Sequence, residues 1–149
     1  MTADGSDAAR TLRAAAEFFV PGAPHDPTPG AGDVEADLFV SHYLDFVLPG
    51  LARGVPELLD NLARGRFEGR AFADLSLGER GEVLDVLEHH EVEQLREIPT
   101  LLGFLAVAAV YGEWTGQDAD GALVRRPLGW QLTGFDGPSR GRPRAQRRP

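Results

Sequence analysis

The sequence predicts an all-α protein, a compact bundle of four to six helices with an irregular Gly/Pro-rich C-terminal strap. Three observations predict it. Apolar residues recur at steps of three and four along five successive segments. No stretch shows the apolar–polar alternation of a half-buried strand, and no unit repeats. Beyond Thr115, glycine and proline become too frequent for a long regular element. A chain of 149 residues suits one domain with its own core. The reading divides it into a flexible N-terminus (1–6), a single helical domain (7–139) and a disordered arginine-rich tail (140–149).

The first helix is expected from about Asp7 to Phe19, capped by Ser6. Ala8, Leu12, Ala15, Ala16 and Phe19 share one face, and Pro21-Gly22 ends it. Residues 21–32, with four prolines and three glycines, form a loop. Asp33 is the cap expected for a second helix from about Val34 to Leu48. Its apolar residues (Leu38, Phe39, Val40, Tyr43, Leu44, Phe46, Val47 and Leu48) cover more than one stripe, which predicts a helix sandwiched between others. Pro49-Gly50 terminates or kinks it. A shorter third helix centres on Val55, Leu58, Leu59 and Leu62, with Pro56 in its first turn. Arg64 to Arg70 is a glycine-broken link anchored by Phe67 and Phe72. Ser76-Leu77-Gly78-Glu79 is a capping box, opening a fourth helix with Val83, Leu84 and Leu87 inward and Glu79, Glu82, Asp85 and Glu88 toward water. The fifth helical region runs from about Glu91 to Glu113. Leu95, Ile98, Leu102, Leu105 and Ala109 make a packed seam, with Leu101, Phe104 and Val110 off it. That pattern predicts the central helix, buried on several sides and kinked or split at Pro99.

Charge is distributed unevenly. The net charge is −8, yet residues 1–139 carry ten arginines against all 23 carboxylates, and residues 140–149 carry five arginines and no acid. An acidic body repels nucleic acid, so no nucleic-acid partner is expected. The tail reads as a segment for RNA, an anionic membrane or an acidic partner, or as a solvated end, the commoner reading for a terminal charge run. With no cysteine, this chain forms no disulfide, thiolate zinc site or thiolate-held iron–sulfur cluster. Acid stands at Asp4 where a signal peptide needs basic charge, and Arg10 and Arg13 are not adjacent, so a cytoplasmic location is expected. The longest apolar run, Ile98–Tyr111, falls short of a comfortable membrane span, and a buried helix is the better reading.

Motifs that carry chemistry are sparse. His89 and His90 are neighbours and point about 100° apart on a helix, so they do not readily share a metal. His25 lies in the proline-rich loop, and His42 reads as a hydrogen-bonded structural histidine on a buried helix. Asp118-Ala119-Asp120-Gly121 opens like a calcium loop but lacks the later ligands, so a turn is expected. Asp33, Glu35 and Asp37 suit the positive end of a helix without catalytic duty. No serine sits in a nucleophile elbow, and no glycine-rich fingerprint follows a strand. No catalytic residue, metal site or bound cofactor is therefore expected in this chain. The remaining candidates are interface residues: Tyr111, Trp114, Trp130, Leu132 and Phe135 in the final third. Tyr111 and Trp114 read equally as a roof on the core. Trp130 and Phe135 lean toward a partner.

The last two sit in Pro127-Leu128-Gly129-Trp130-Gln131-Leu132-Thr133-Gly134-Phe135-Asp136-Gly137-Pro138-Ser139, too rich in glycine and proline to read as a helix. This stretch resembles the end of the gluconate 2-dehydrogenase subunit 3 family. So, in order, do Val20-Pro21-Gly22 with Gly30-Ala31-Gly32-Asp33, and Phe72-Ala73-Asp74-Leu75-Ser76 with Glu79-Arg80 and Val83-Leu84. The pieces span most of residues 8–139. The resemblance implies a non-catalytic accessory subunit in a hetero-oligomer with a large FAD-dependent dehydrogenase subunit resembling the glucose–methanol–choline oxidoreductases. FAD would lie in that partner, which oxidises a sugar or sugar acid. Some relatives carry a twin-arginine export signal, which this sequence does not show, so the export-escort role is not carried over. Two alternatives stand beside this one: a stand-alone helical enzyme pairing a buried acid such as Glu113 with a histidine, and a regulatory or nucleic-acid-binding adaptor acting through the arginine tail.

Overall fold

The computed structural model describes residues 3–25 and 28–138. The tail assigned to 140–149 lies outside them. Six α-helices follow one another: α1 (Ala3–Phe19), α2 (Ala36–Val47), α3 (Leu51–Arg66), α4 (Leu77–Glu88), α5 (Glu93–Tyr111) and α6 (Leu128–Thr133). Single 3-10 turns occur at Ala31–Val34, Phe72–Asp74 and Trp114–Gly116. Among the described residues the only β pairing is an isolated bridge between Gln117 and Leu123.

Helix α1 packs against α2, α3, α4 and α5, and α5 against α1, α2, α4 and α6. These two helices form the centre. Ala14, Ala15 and Ala16 are all buried, and their small side chains let neighbouring helices approach α1 closely. The seam foreseen on α5 is the observed one: Ile98, Leu102, Leu105 and Ala109 are buried and Leu95 packs on the core. Pro99 lies in the second turn of an unbroken helix and has no N–H for the Leu95 carbonyl, so the ladder continues past one missing bond. Phe72 is fully buried and Phe67 half-buried, anchoring the α3–α4 link. The capping box is present: Glu79 N–H donates to Ser76 Oγ (3.3 Å), and Ser76 N–H donates to Glu79 Oε2 (2.8 Å).

Several boundaries differ from expectation. Helix α1 starts at Ala3, so Ser6 lies inside it rather than capping it, and the segment taken as flexible is helical from residue 3. Asp33 does not cap α2. Its carboxylate accepts from Gly30 N–H (2.9 Å) within a 3-10 turn, and Glu35, at φ 52°, separates that turn from α2. Pro56 sits in the second turn of α3, because the helix begins earlier, at Leu51. Asp45 makes this start possible, its Oδ1 accepting from Gly50 and Ala52 N–H (3.0 Å each). The link expected from Arg64 begins only after Arg66.

Two larger corrections concern burial. Helix α2 is not sandwiched: Leu38, Tyr43, Phe46 and Val47 are exposed. Helix α5 is open along Phe104, Val107 and Tyr111, which follow one another at helical spacing opposite the buried seam. Both errors have one cause. The surplus apolar residues suggest second buried faces, but among the described residues no further helix covers them. By length and composition alone Glu93–Gly116 could cross a membrane, its 18-residue apolar window having a mean hydropathy of 1.3, and 39% of that window is buried inside the protein.

Candidate interaction surface

The strap is more ordered than its composition indicates. Leu128–Thr133 forms a short helix, ended by Gly134 at φ 72°. The helix is possible because its ends and sides are satisfied from outside: Leu128 N–H donates to Thr115 Oγ1 (2.7 Å), and Gln131 Nε2 donates to the Arg126 carbonyl (3.0 Å). Thr133 Oγ1 donates to the Gly129 carbonyl (2.7 Å). Gly129 is buried against α5. A Cβ there would lie inside the Tyr111 carbonyl group and 2.6 Å from Tyr111 Cα. Glycine at this position is therefore a docking requirement, the physical reason for the Gly129-Trp130 pair. Trp130 and Phe135 stack edge-to-face at 5.2 Å, and Arg126 holds the chain around them by donating to the Phe135 carbonyl (2.9 Å).

The five candidate interface residues do not form one cluster. Trp114 packs inward, edge-to-face on Phe39 at 5.5 Å, and belongs with the core periphery. Trp130 and Leu132 are half-buried on α6. Tyr111 and Phe135 are exposed. The larger aromatic surface is one the sequence did not single out. Phe39, Tyr43 and Phe46 run along α2, with Phe39–Tyr43 at 4.5 Å and Tyr43–Phe46 at 6.3 Å. Phe39, buried at one end of this stripe, also meets Trp114, just past the end of α5, while Tyr43 and Phe46 are exposed. His42 is exposed, its ring edge-to-face with Tyr43 at 5.2 Å, and not buried as expected. The signal available in the sequence was the excess of apolar positions on α2 over what one buried stripe holds.

Two grooves flank the bundle. One, of about 660 Å³, lies between α1, α2 and α3 and is lined by Asp37, Asp45, Asp60, Arg53 and Arg64 among others. Its buried acids serve the fold. Asp37 accepts from Arg13 Nε (3.0 Å), tying α1 to α2. Asp60 accepts from Phe72 N–H (2.9 Å) and from Thr11 Oγ1 (3.3 Å), tying α3 to α1 and to the following link. The other groove, of about 690 Å³, runs between Asp33, Glu35, Trp114, Arg125 and Arg126.

Among the described residues no group of three or more His, Asp or Glu could hold a metal ion. Asp118 forms a turn, its Oδ1 accepting from Asp120 and Ala122 N–H (3.0 and 2.9 Å), with Gly121 at φ 79°. Glu113 is exposed. Hydrogen bonds from Arg70 and from Ser76 hold the Glu79 carboxyl down at about 2, and the same pair raises Arg70. His89 is raised by its bond to the Asp85 carbonyl and by that residue's charge.

The other ordered motifs turn out to be joints. Ala31 N–H donates to the Val20 carbonyl (2.8 Å), and a Cβ on Gly22 would lie 2.6 Å from Gly30 N, so Val20–Gly22 and Gly30–Asp33 meet backbone to backbone. Arg80 donates to the Ala14 and Ala73 carbonyls (3.2 and 3.0 Å), joining α4 to α1. Compared with protein-family models, curated proteins and solved structures, the chain matches none.

Proposed function

We propose that this chain is a non-catalytic accessory subunit that binds a large FAD-dependent, glucose–methanol–choline-like sugar or sugar-acid dehydrogenase and stabilises or matures it. The observation that carries this reading is the aromatic surface left uncovered on α2, α5 and the strap. Soluble monomers seldom expose large contiguous apolar patches, and aromatic rings dominate binding energy when a partner covers them. The ordered motifs resembling gluconate 2-dehydrogenase subunit 3 indicate the kind of partner. Catalysis and FAD belong to that partner, and this chain acts by mass action, binding the folded flavoprotein and drawing it away from unfolded or cofactor-free forms. The test is to express a candidate glucose–methanol–choline-like, flavin-dependent dehydrogenase with and without this chain. Raised FAD occupancy and dye-linked sugar oxidation in its presence support the reading. Equal occupancy, or sugar oxidation by this chain alone, contradicts it.

A further inference from the structure

Resting on that functional reading, we infer that the principal docking face is the outer side of α2 and α5, with Phe46 and Phe104 as anchors. Its occupant is an apolar patch framed by basic side chains on the flavoprotein. Three observations lead there. Phe46 is 79% exposed and Phe104 69%, against 48% for Phe135 on the strap, and Tyr43 and Tyr111 add 39% and 40% beside them. At about 200 Å² for a whole aromatic residue, these four leave roughly 450 Å² uncovered. Spread over α2 and α5, which pack on each other, this area is of the order of one partner's apolar share of a standard interface, about 800 Å² a side and somewhat over half non-polar.

Charge selects the occupant. From Thr100 to Gly112 the α5 region has no ionisable side chain except the Tyr111 phenol, and α2 has no charged side chain between Asp37 and Asp45. Exposed acids outnumber bases around this uncharged area: Asp45 at the end of α2, Glu93 and Glu97 against Arg96 toward the start of α5, and Glu113 beyond its end. Docking a second copy through the same face would bring these acidic borders together on chains that each carry −8. An anionic bilayer meets the same repulsion. A partner with arginine or lysine around an apolar centre meets attraction, which guides encounter and fixes register.

The test uses the full chain and a candidate glucose–methanol–choline-like flavoprotein, with affinity measured by titration calorimetry at low and high salt. Phe46→Glu and Phe104→Glu should each weaken binding by about thirtyfold or more. Wild-type affinity should fall as salt rises. Both side chains point to solvent, so the variants should keep the wild-type circular dichroism and melting temperature, and Trp130→Ala should weaken binding less than either. A wild-type complex that survives both glutamate variants overturns this assignment and leaves the functional reading standing. Self-association of the wild type abolished by Phe46→Glu, or binding to neutral lipid vesicles abolished by it, also overturns it and gives the face to a second copy or to a bilayer. No complex with wild type at all overturns the functional reading and this occupant together.

Discussion

Replacing Gly129 by alanine sets two effects of opposite sign against each other. In a helix interior alanine is favoured over glycine by up to about 1 kcal/mol, so propensity alone predicts a firmer α6. Packing predicts the reverse, because the new Cβ would meet backbone atoms of Tyr111, including Cα at 2.6 Å, and backbone yields less readily than a side-chain end. Overpacking of this kind costs about 1–3 kcal/mol, and more where the obstacle is rigid. A six-residue helix has no stability of its own in water. The strain is therefore relieved by releasing α6, leaving α1 to α5 folded. Hydrogen-exchange mass spectrometry reads this directly. Amides across 128–135 should exchange roughly tenfold to a hundredfold faster, while α1 and α5 keep their protection. Unchanged or slower exchange across α6, or a higher melting temperature, would refute the packing argument.

Three further perturbations test the fold that presents the surface. Ser76→Ala removes one arm of the capping box and should cost about 1 kcal/mol, read by calorimetry as a fall of about 2–4 °C in melting temperature. Asp60→Ala leaves Phe72 N–H and the Thr11 hydroxyl without their acceptor; urea unfolding should show a loss of about 1–3 kcal/mol per orphaned group, and Asp60→Asn, which keeps one acceptor oxygen, should lose less. Glu79 is held at about 2 against an ordinary 4.5, so its contribution is present above pH 4.5 and lost as pH falls toward 2. Urea midpoints at about pH 5 and about pH 3 should therefore converge in Glu79→Gln relative to wild type.

The helices and their inward faces were legible because local signals and packing agree there. The α5 seam and the Ser76–Glu79 box each follow from spacing within a few residues. Long-range arrangement was less legible. Whether Phe46 and Phe104 are covered depends on how many helices the chain has left to cover them, which no window of α2 or α5 contains. Helix α6 was missed for a related reason. Pro127, Gly129 and Gly134 lower local helix propensity, but Gly129 is there to meet Tyr111 and Gly134 to end the helix, and Thr115 supplies a bond from outside the segment. Tyr111 and Phe135 stand out in the sequence by aromatic character alone, and both lie at the surface, whereas Trp114 packs on Phe39.

If this bundle holds a flavin-bearing polypeptide, the two should travel together. Size-exclusion chromatography of the chain co-expressed with a candidate flavin-dependent dehydrogenase, with protein mass and flavin absorbance followed together, shows whether they do. A single peak that contains both polypeptides and the flavin colour is expected. Elution of this chain alone, with all the flavin in a separate peak, would contradict it.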